Sequence, residues 1–451
     1  MDKTIRIRKG VDIDLKGKAK NQFMADHNPE LFALKPIDFF GLVPKLSRKE
    51  GEKVKQGEPV FFDKYRPDIV FVAPVAGLIS KVVRGDKRKM LEIIIEKSDE
   101  IGKIKHNISK DDLKNAEAIK KLFLNAGIWP YIKQRPYGII ANPETKPRDI
   151  FISMFDSAPL APDFEFILNA DKEEINLALK TIKLLTDGDV YLSFKKGSRL
   201  VDLIENKENY KINYFHGPHP AGLHGVQINK IKPINKGEIV WTVNATDLPI
   251  IGSFLKTGIY NPERTVALAG SEVKEPAYFK TTAGADLTQL LKSKLNTDDN
   301  LRVISGNVLT GSNISHSRFL GFFDNLVTVI PEGNKHELFG WALPGFNKLS
   351  LTTTFMSKLF PRKKFAPDTN LHGGKRAYVV TGQYEAVCPI DVYPQLLIKA
   401  ILVEDIDKME QMGIYEIIEE DFALCEFACT SKMDVQEIVR TGLNLMIKEM
   451  S

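Results

Sequence analysis

The sequence predicts a multi-domain protein of the α/β and α+β classes, and three observations support this. Its 451 residues, 43% of them hydrophobic, suffice for about three domains of the usual ~150 residues. Turn glycines separate short strand-like runs between residues 41 and 96. Strands and helices alternate between residues 170 and 243, which predicts a parallel sheet.

Charge, cysteine content and hydropathy narrow the functional class. The net charge is +5, and the sequence has no stripe of basic residues of the kind that nucleic-acid-binding proteins use. We therefore expect no nucleic acid as a partner. Three cysteines in a chain of this length argue against a disulfide framework and suit a reducing cytoplasm. The longest mostly apolar run, residues 70–79, is about half of the ~20 residues that a membrane span needs. We therefore expect no transmembrane segment.

Residues 49–60 and 72–79 carry the clearest local pattern, Gly-Glu-x-Val-x-x-Gly-Glu followed by Ala-Pro-x-x-Gly. This pattern resembles the biotinyl/lipoyl carrier fold, a flattened barrel-sandwich. Carriers hold a modified lysine at the hairpin tip, and here that position is Arg66, followed by Pro67, with Lys64 two places early. Arginine cannot form the amide to biotin or lipoate, so we interpret the barrel as a structural relic.

A helix is predicted over residues 107–124, and the stretch 128–138 follows it. A nucleotide-binding sheet is expected to show a glycine-rich turn here, because a phosphate cradle needs backbone amides exposed by small residues. Two prolines, two tyrosines and a tryptophan stand there instead, so a bound flavin or dinucleotide is not expected. Tyr131, Lys133 and Arg135 could line a surface for a flat ring, or the aromatics could simply pack beneath a loop.

Alternating elements then predict a Rossmann-like parallel sheet without a Gly-rich flavin loop. Helical spacing marks residues 170–186 and 198–208, and strand-like runs cover 190–194 and 211–215. The loop 216–225 follows the last strand, and open parallel sheets bind ligands outside the carboxyl ends of their strands.

The loop 216–225 supplies the main candidate residues. Its three histidines invite a metal interpretation, but it contains no cysteine or acidic residue, and prolines and glycines explain it as a rigid turn. We expect no metal and interpret it as a shaped loop that packs against a partner or a small ligand. The candidates are Gly217, Pro218, His219, Pro220, Ala221 and Gly222.

A compact β unit follows in strand-strand-helix-strand order, at residues 265–271, 277–282, 285–295 and 302–304. It resembles the ubiquitin-like β-grasp domain called SLBB, which is a binding module. The predicted boundaries are 1–105 for the N-terminal strand and barrel, 106–258 for the α/β domain, 259–340 for the β-grasp domain, 341–390 for a connecting segment and 391–451 for a helical domain.

The connecting segment mixes aromatic and basic residues, which suits docking on an anionic membrane surface or a membrane subunit. An ordinary covering loop is the alternative. The docking candidates are Phe346, Phe355, Arg362, Lys363 and Lys364. Cys388, Cys425 and Cys429 are too few for a four-cysteine cluster, and we interpret them as reduced packing thiols.

The order of these units resembles the flavin-bearing NADH subunit of respiratory complex I, which keeps a flavin loop and a cysteine cluster that this chain lacks. In the order of its units, and in lacking the flavin loop and the cysteine cluster, the chain is similar to the A-type subunit of the sodium-translocating NADH:quinone oxidoreductase. Four runs carry this resemblance, at residues 9–13, 155–163, 217–222 and 419–425.

The resemblance implies a peripheral subunit on the cytoplasmic face of the bacterial inner membrane, in a six-subunit complex that oxidises NADH, reduces ubiquinone and exports sodium. It also implies that FMN, FAD, riboflavin and Fe–S centres belong to other subunits of the complex. A membrane subunit is expected as a partner of this chain, and the chain itself is expected to be associated with quinone. The alternative is a cofactor-free scaffold that only supports the membrane subunits. No catalytic residue can be carried over.

Overall fold

The computed structural model describes residues 3–297, 300–334, 343–349, 351, 355–360 and 363–450. The strands are β1 (Lys3–Arg6), β2 (Leu31–Leu34), β3 (Pro44–Leu46), β4 (Lys53–Val54), β5 (Pro59–Asp63), β6 (Val70–Val72), β7 (Gly77–Arg84), β8 (Met90–Lys97), β9 (Lys133–Arg135), β10 (Ile139–Ile140), β11 (Ile150–Ser153), β12 (Val190–Lys195), β13 (Lys211–His216), β14 (Val240–Asn244), β15 (Glu263–Ala269), β16 (Ala277–Thr282), β17 (Leu301–Ser305), β18 (Ser312–Asn313) and β19 (Leu326–Pro331). The α-helices are α1 (Ala116–Asn125), α2 (Phe164–Leu168), α3 (Lys172–Lys183), α4 (His224–Ile231), α5 (Leu248–Thr257), α6 (Thr288–Lys294), α7 (Gln383–Val387), α8 (Pro394–Leu402), α9 (Ile406–Gln411), α10 (Ala423–Ala428) and α11 (Val435–Met450).

The predicted barrel-sandwich is confirmed. One sheet has the order β2-β8-β7-β4 and the other has the order β3-β5-β6, all antiparallel. Their inner faces meet in an apolar core, where the rings of Phe61 and Phe71 stack with centroids 4.4 Å apart. The barrel therefore has a packed interior.

A seven-stranded sheet forms the α/β unit, in the order β1-β13-β12-β11-β14-β9-β10. The first five strands in this order, β1, β13, β12, β11 and β14, are parallel to one another, whereas β9 and β10 are antiparallel at one edge. The sequence prediction groups the N-terminal strand with the barrel, but the structure pairs it with β13. Because β12 and β14 lie on opposite sides of β11, the strand order reverses between β11 and β14. This is the topological switch point of the sheet.

Two helix predictions are wrong in part. The helix predicted over 107–124 begins at Ala116, because the Asn115 side chain accepts hydrogen bonds from the amides of Glu117 and Ala118 and caps it there. The helix predicted over 198–208 is instead two short 3-10 segments, Arg199–Leu203 and Lys207–Asn209, because a left-handed residue at Asn206 interrupts any continuous helix. Apolar residues spaced three or four apart fit both helix types over so short a run.

The β-grasp unit is confirmed, with the sheet order β16-β15-β19-β17-β18 and α6 packed on it. Helices α7 to α11 form the helical end of the chain. Cys388, Cys425 and Cys429 are free and buried there, as predicted. Within the described ranges, no helix combines the length and apolar character that crossing a membrane requires.

Candidate functional site

The switch point between β11 and β14 is where an α/β sheet of this kind binds a nucleotide. The loop that would hold the phosphates is the one after β11, residues 154–163, and it contains Pro159, Pro162 and no glycine. The stretch 128–138 lies elsewhere, at the antiparallel edge of the sheet, where it forms a 3-10 turn and strands β9 and β10. β9 and β10 precede β11, the first strand of the parallel alternation, and the expectation that 128–138 binds no flavin or dinucleotide stays a prediction.

The predicted loop 217–222 follows β13 and is fixed to the loop after β11. The Ser157 hydroxyl accepts the amide N–H of Gly222 at 2.8 Å and lies 3.0 Å from Nδ1 of His219. The Ser153 hydroxyl donates to the Gly222 carbonyl at 3.0 Å. A Cβ on Gly222 would lie 2.7 Å from the Ser157 nitrogen, so this position needs glycine for close approach. Within the loop it is Gly217 that has a positive φ, of 143°.

Two histidines of this region, the buried His219 and the half-buried His224, are neutral near pH 7. His219 is 3% exposed, and burial lowers its pKa to about 4, although Glu420 acts in the opposite direction. Burial likewise lowers the pKa of His224 to about 4. Nε2 of His224 lies 3.3 Å from both the amide nitrogen of Ser153 and the carbonyl oxygen of Val243. His224 thus occupies the space between the ends of β11 and β14.

The third histidine of the loop region, His216, is exposed at the end of β13. Among the residues that the structure describes, no group of three or more His, Cys, Asp or Glu side chains could hold a metal ion.

Two carboxylates from a 3-10 segment, Glu419–Phe422, close the switch point from the helical end of the chain. Arg135 donates to Asp421 at 2.6 Å and to Glu420 at 2.9 Å, and the side chains of Arg135 and Asp421 are 3% and 0% exposed. Asp421 lies against Gly225 in the first turn of α4, where a Cβ would overlap its carboxylate. Burial raises the pKa of Asp421 to about 6, although Arg135 acts to lower it.

Glu420 and Asp421 are residues to which sequence reasoning assigned no role. They are 285 and 286 positions from Arg135, and no spacing rule connects such distant residues. The one available signal was the run 419–425, which carries part of the family resemblance.

A partly exposed aromatic and basic surface begins at Lys133, the first residue of β9. The ammonium of Lys133 lies 3.8 Å from the ring centroid of Phe323. The neighbouring ring, Phe322, stacks on the buried Tyr131 with centroids 4.9 Å apart. Phe39 packs at 5.6 Å from Phe323.

The surface continues from Phe39 to Phe40, whose ring is 45% exposed. The guanidinium of Arg440 lies 4.2 Å from the Phe40 ring centroid and donates to the Tyr137 carbonyl. We call the set Phe40, Lys133, Tyr137, Phe323 and Arg440 the aromatic surface.

The structure brings together some of the predicted candidates and separates others. Arg135 and the loop 217–222 meet around Glu420 at the switch point. Lys133 belongs to the aromatic surface. Tyr131 lies beneath that surface, where its hydroxyl is 2.9 Å from the hydroxyl of Tyr260.

The hairpin tip of the barrel is bound to its surroundings. Arg66 pairs with the buried Asp63 at 2.9 Å and donates to the carbonyl of Ile140 in β10 at 3.4 Å. The arginine at the carrier position thus links the barrel to the edge of the α/β sheet.

The docking candidates lie in a segment that is partly described. Phe346 is 47% exposed and lies 6.4 Å from the Phe360 ring. Lys363 donates to the Phe346 carbonyl at 2.9 Å. Lys364 is exposed and Phe355 is half-buried, whereas Arg362 lies outside the described residues.

Family models match three parts of the chain. They are the NqrA N-terminal barrel-sandwich hybrid domain over residues 5–98, the NqrA second alpha/beta domain over 114–260 and the NQRA C-terminal domain over 265–316. The A-type subunit of the Na(+)-translocating NADH-quinone reductase of Yersinia pestis is 36% identical over 448 residues, which cover 99% of this chain and 100% of the relative. The chain belongs to the NqrA family.

A second NqrA protein extends the likeness to another group of bacteria. The A-type subunit of the same reductase from Rhodopirellula baltica is 35% identical over 450 residues, which cover 98% of both chains. The chain is thus a component of a multi-subunit oxidoreductase. Among solved structures, an air-oxidized NAD+-reducing [NiFe]-hydrogenase aligns over 74% of this chain and 62% of its own, with a TM-score of 0.39 and 10% identity. A likeness at that level supports no further argument.

Proposed function

We propose that this chain forms part of the quinone side of the sodium-translocating reductase, with the aromatic surface against the ring of ubiquinone. The contact between Lys133 and Phe323 carries the proposal, because it places a cationic donor over a partly exposed aromatic face. A quinone offers a flat ring and two carbonyl acceptors. An ammonium has three hydrogen-bond donors and no acceptor, so Lys133 suits a carbonyl oxygen.

The support beneath the surface favours a ring-binding role. Phe322 stacks on Tyr131, and the Tyr131 hydroxyl is hydrogen-bonded to the Tyr260 hydroxyl. The rings behind Phe323 therefore lie in fixed positions. Offset aromatic stacking contributes about 0.5–1.5 kcal/mol beyond burial of area, and this energy is available to a planar ligand on Phe323.

We further propose that the chain binds no flavin or Fe–S centre, and that the complex carries its FMN, FAD, riboflavin and Fe–S centres on other subunits. The occupied switch point supports this, because a flavin phosphate there would meet the carboxylate of Asp421 and a loop stiffened by Pro159 and Pro162. We also propose that the loop 217–222 supports the closed switch point, where Glu420 lies near enough to His219 to raise its pKa against the effect of burial. His219 is proposed to stabilise this loop, because its Nδ1 forms a hydrogen bond with the Ser157 hydroxyl.

The chain is proposed to sit peripherally on the cytoplasmic face of the inner membrane, within a complex of six subunits. The segment from Phe346 to Lys364 is proposed to contact a membrane subunit, since Lys363 lies beside the exposed Phe346 and Phe360 and the exposed Lys364 follows it in the chain. Reversing the charge of Lys363 and Lys364 should then weaken co-purification with the membrane subunits. Unchanged co-purification of the folded variant would refute this contact.

The quinone proposal is tested by measuring two activities on one preparation of the assembled complex. Phe323→Ala and Lys133→Met should each raise the KM for a short-chain ubiquinone about tenfold, equivalent to the ~1.4 kcal/mol of one charge-assisted contact. NADH oxidation with a soluble acceptor should stay unchanged. Lys256→Met is the matched control, because Lys256 is an exposed lysine paired with Glu173 and Glu174 on a distant helical face.

The outcomes separate the two functional hypotheses. An unchanged quinone KM in both variants would favour the cofactor-free scaffold, in which only a neighbouring subunit holds quinone. Equal loss of both activities would indicate an assembly defect and would contradict the quinone-specific role.

A further inference from the structure

The aromatic surface depends on a turn that has no regular secondary structure. Phe322 and Phe323 lie between β18 and β19, outside any strand pairing. Side-chain contacts must therefore hold the two rings in place. Two sets of such contacts reach this turn.

The first set comes from a 3-10 turn of the barrel, Pro36–Asp38. The Asp38 carboxylate accepts the amide N–H of Phe322 at 2.9 Å. The ammonium of Lys35 lies 3.7 Å from Asp38 and donates to the Phe319 carbonyl at 3.2 Å. Lys35 is 4% exposed, so this pair is a buried clamp on the backbone of the turn.

The second set comes from the last residue of β17. The Ser305 hydroxyl donates to the Asp324 carboxylate at 2.6 Å and accepts the amide N–H of Gly321 at 2.8 Å. A Cβ on Gly321 would overlap the Asp324 carboxylate, so the turn fits tightly around this bond. Ser305 is 1% exposed, and its hydroxyl is therefore shielded from solvent.

The residue after Asp38 completes the clamp. The ring of Phe39 lies 5.0 Å from Phe322 and 5.6 Å from Phe323. One short segment thus supplies both the hydrogen bond to the backbone of the turn and the packing against its rings.

We infer that Asp38 and Ser305 are positioning residues for ubiquinone binding, because they fix the turn that carries Phe323 and thereby set the place of the Lys133 ammonium. This inference rests on the proposed quinone role of the aromatic surface. Neither residue contacts the ligand. Both act through the geometry of Phe322 and Phe323, and misplacement of a binding group by about 1 Å is enough to lower activity strongly.

The test uses the assembled complex and separates KM from kcat. Asp38→Ala should raise the KM for a short-chain ubiquinone about tenfold, and Ser305→Ala about threefold, with kcat and NADH oxidation by a soluble acceptor within about twofold. The variant Asp38→Asn keeps an oxygen acceptor for the Phe322 amide and leaves the hydrogen bond from Lys35 to the Phe319 carbonyl in place. Its KM should lie within about twofold of the native value, which is a rescue that general destabilisation would not give.

Asp149→Ala is the matched control. Asp149 is a buried carboxylate that accepts a backbone N–H, from Asp189 at 3.1 Å, and pairs with Arg148, but it stands before β11 at the opposite end of the sheet. It should lower stability without changing the quinone KM.

The outcomes also separate this inference from the proposed function. If Phe323→Ala and Lys133→Met raise KM while Asp38→Ala and Ser305→Ala do not, the positioning role is overturned and the surface stands. If none of the four variants changes KM, the quinone role of the surface fails as well. Should Asp38→Ala fail to assemble, Ser305→Ala decides, because it removes a single hydroxyl and leaves the buried ion pair intact.

Discussion

Lys133 and Arg135 are two residues apart on β9, point to the same face of the strand, and lie in opposite environments. The Arg135 side chain is 3% exposed and bonds to two carboxylates, Glu420 and Asp421. Lys133 is partly exposed, and the described residues offer it the face of Phe323. One cation therefore belongs to the fold and the other is presented at the surface.

The difference separates a closed region of the α/β sheet from a partly open surface beside it. At the switch point, burial and ion pairing of Arg135 with Glu420 and Asp421 stabilise a closed arrangement. At the aromatic surface, rings and a cation are supported from behind and left partly uncovered.

Removing Arg135 should be the most damaging change for stability. Arg135→Ala leaves Asp421 buried without its cation, and breaking a buried pair in this way costs about 3–5 kcal/mol. The free energy of unfolding of the purified chain, measured by denaturant titration, should fall by that amount. A loss below about 1 kcal/mol would mean that the switch point is open to water and that the contrast is false.

The second effect concerns the buried His219 and the dependence of stability on pH. The folded chain holds the pKa of His219 at about 4, below the ordinary 6.5, so the unfolded chain binds one more proton between those values. Its stabilising contribution is therefore complete above pH 6.5 and is lost as the pH falls towards 4. His219→Gln should reduce the slope of unfolding free energy against pH in this window by up to about 1.4 kcal/mol per pH unit.

The lowered pKa of His224 adds to the slope in the same direction as His219, whereas the raised pKa of Asp421 acts on the slope in the opposite direction. The slope of the variant must therefore be compared with the slope of the native chain and not with zero. An identical slope in His219→Gln and the native chain would show that the ring is accessible to protons in the fold.

The smallest stability effect is expected at Lys133. Lys133→Met should change the free energy of unfolding by less than about 1 kcal/mol, because a partly exposed cation over one ring contributes about 0.5–1 kcal/mol. The same denaturant titration measures it beside Arg135→Ala. A loss as large as that of Arg135→Ala would make Lys133 a second structural cation.

Much of the fold follows from local patterns, whereas the site depends on contacts that no local pattern encodes. Alternation at 211–215 and helical spacing at 170–186 predicted β13, α3 and the position of the loop between β13 and α4. The distinction between α- and 3-10 helix at 198–208 depends on the backbone at Asn206, which apolar spacing does not report.

The partners of the candidate residues come from distant parts of the chain. Asp421 reaches Arg135 across 286 positions, and Asp38 reaches Phe322 across 284. Tertiary packing sets these distances. The sequence could nominate Lys133 and Arg135 together, but it could not tell which cation would be buried.

The most direct test of the account is a titration of the isolated full chain with a water-soluble short-chain ubiquinone, followed by calorimetry. The native chain and the Lys256→Met control should bind with the same Kd, and Lys133→Met should bind about tenfold more weakly while its free energy of unfolding changes by less than about 1 kcal/mol, since one charge-assisted contact is lost. Absence of binding to the native chain, under conditions where the assembled complex binds the same quinone, would contradict the account and assign the quinone to a neighbouring subunit.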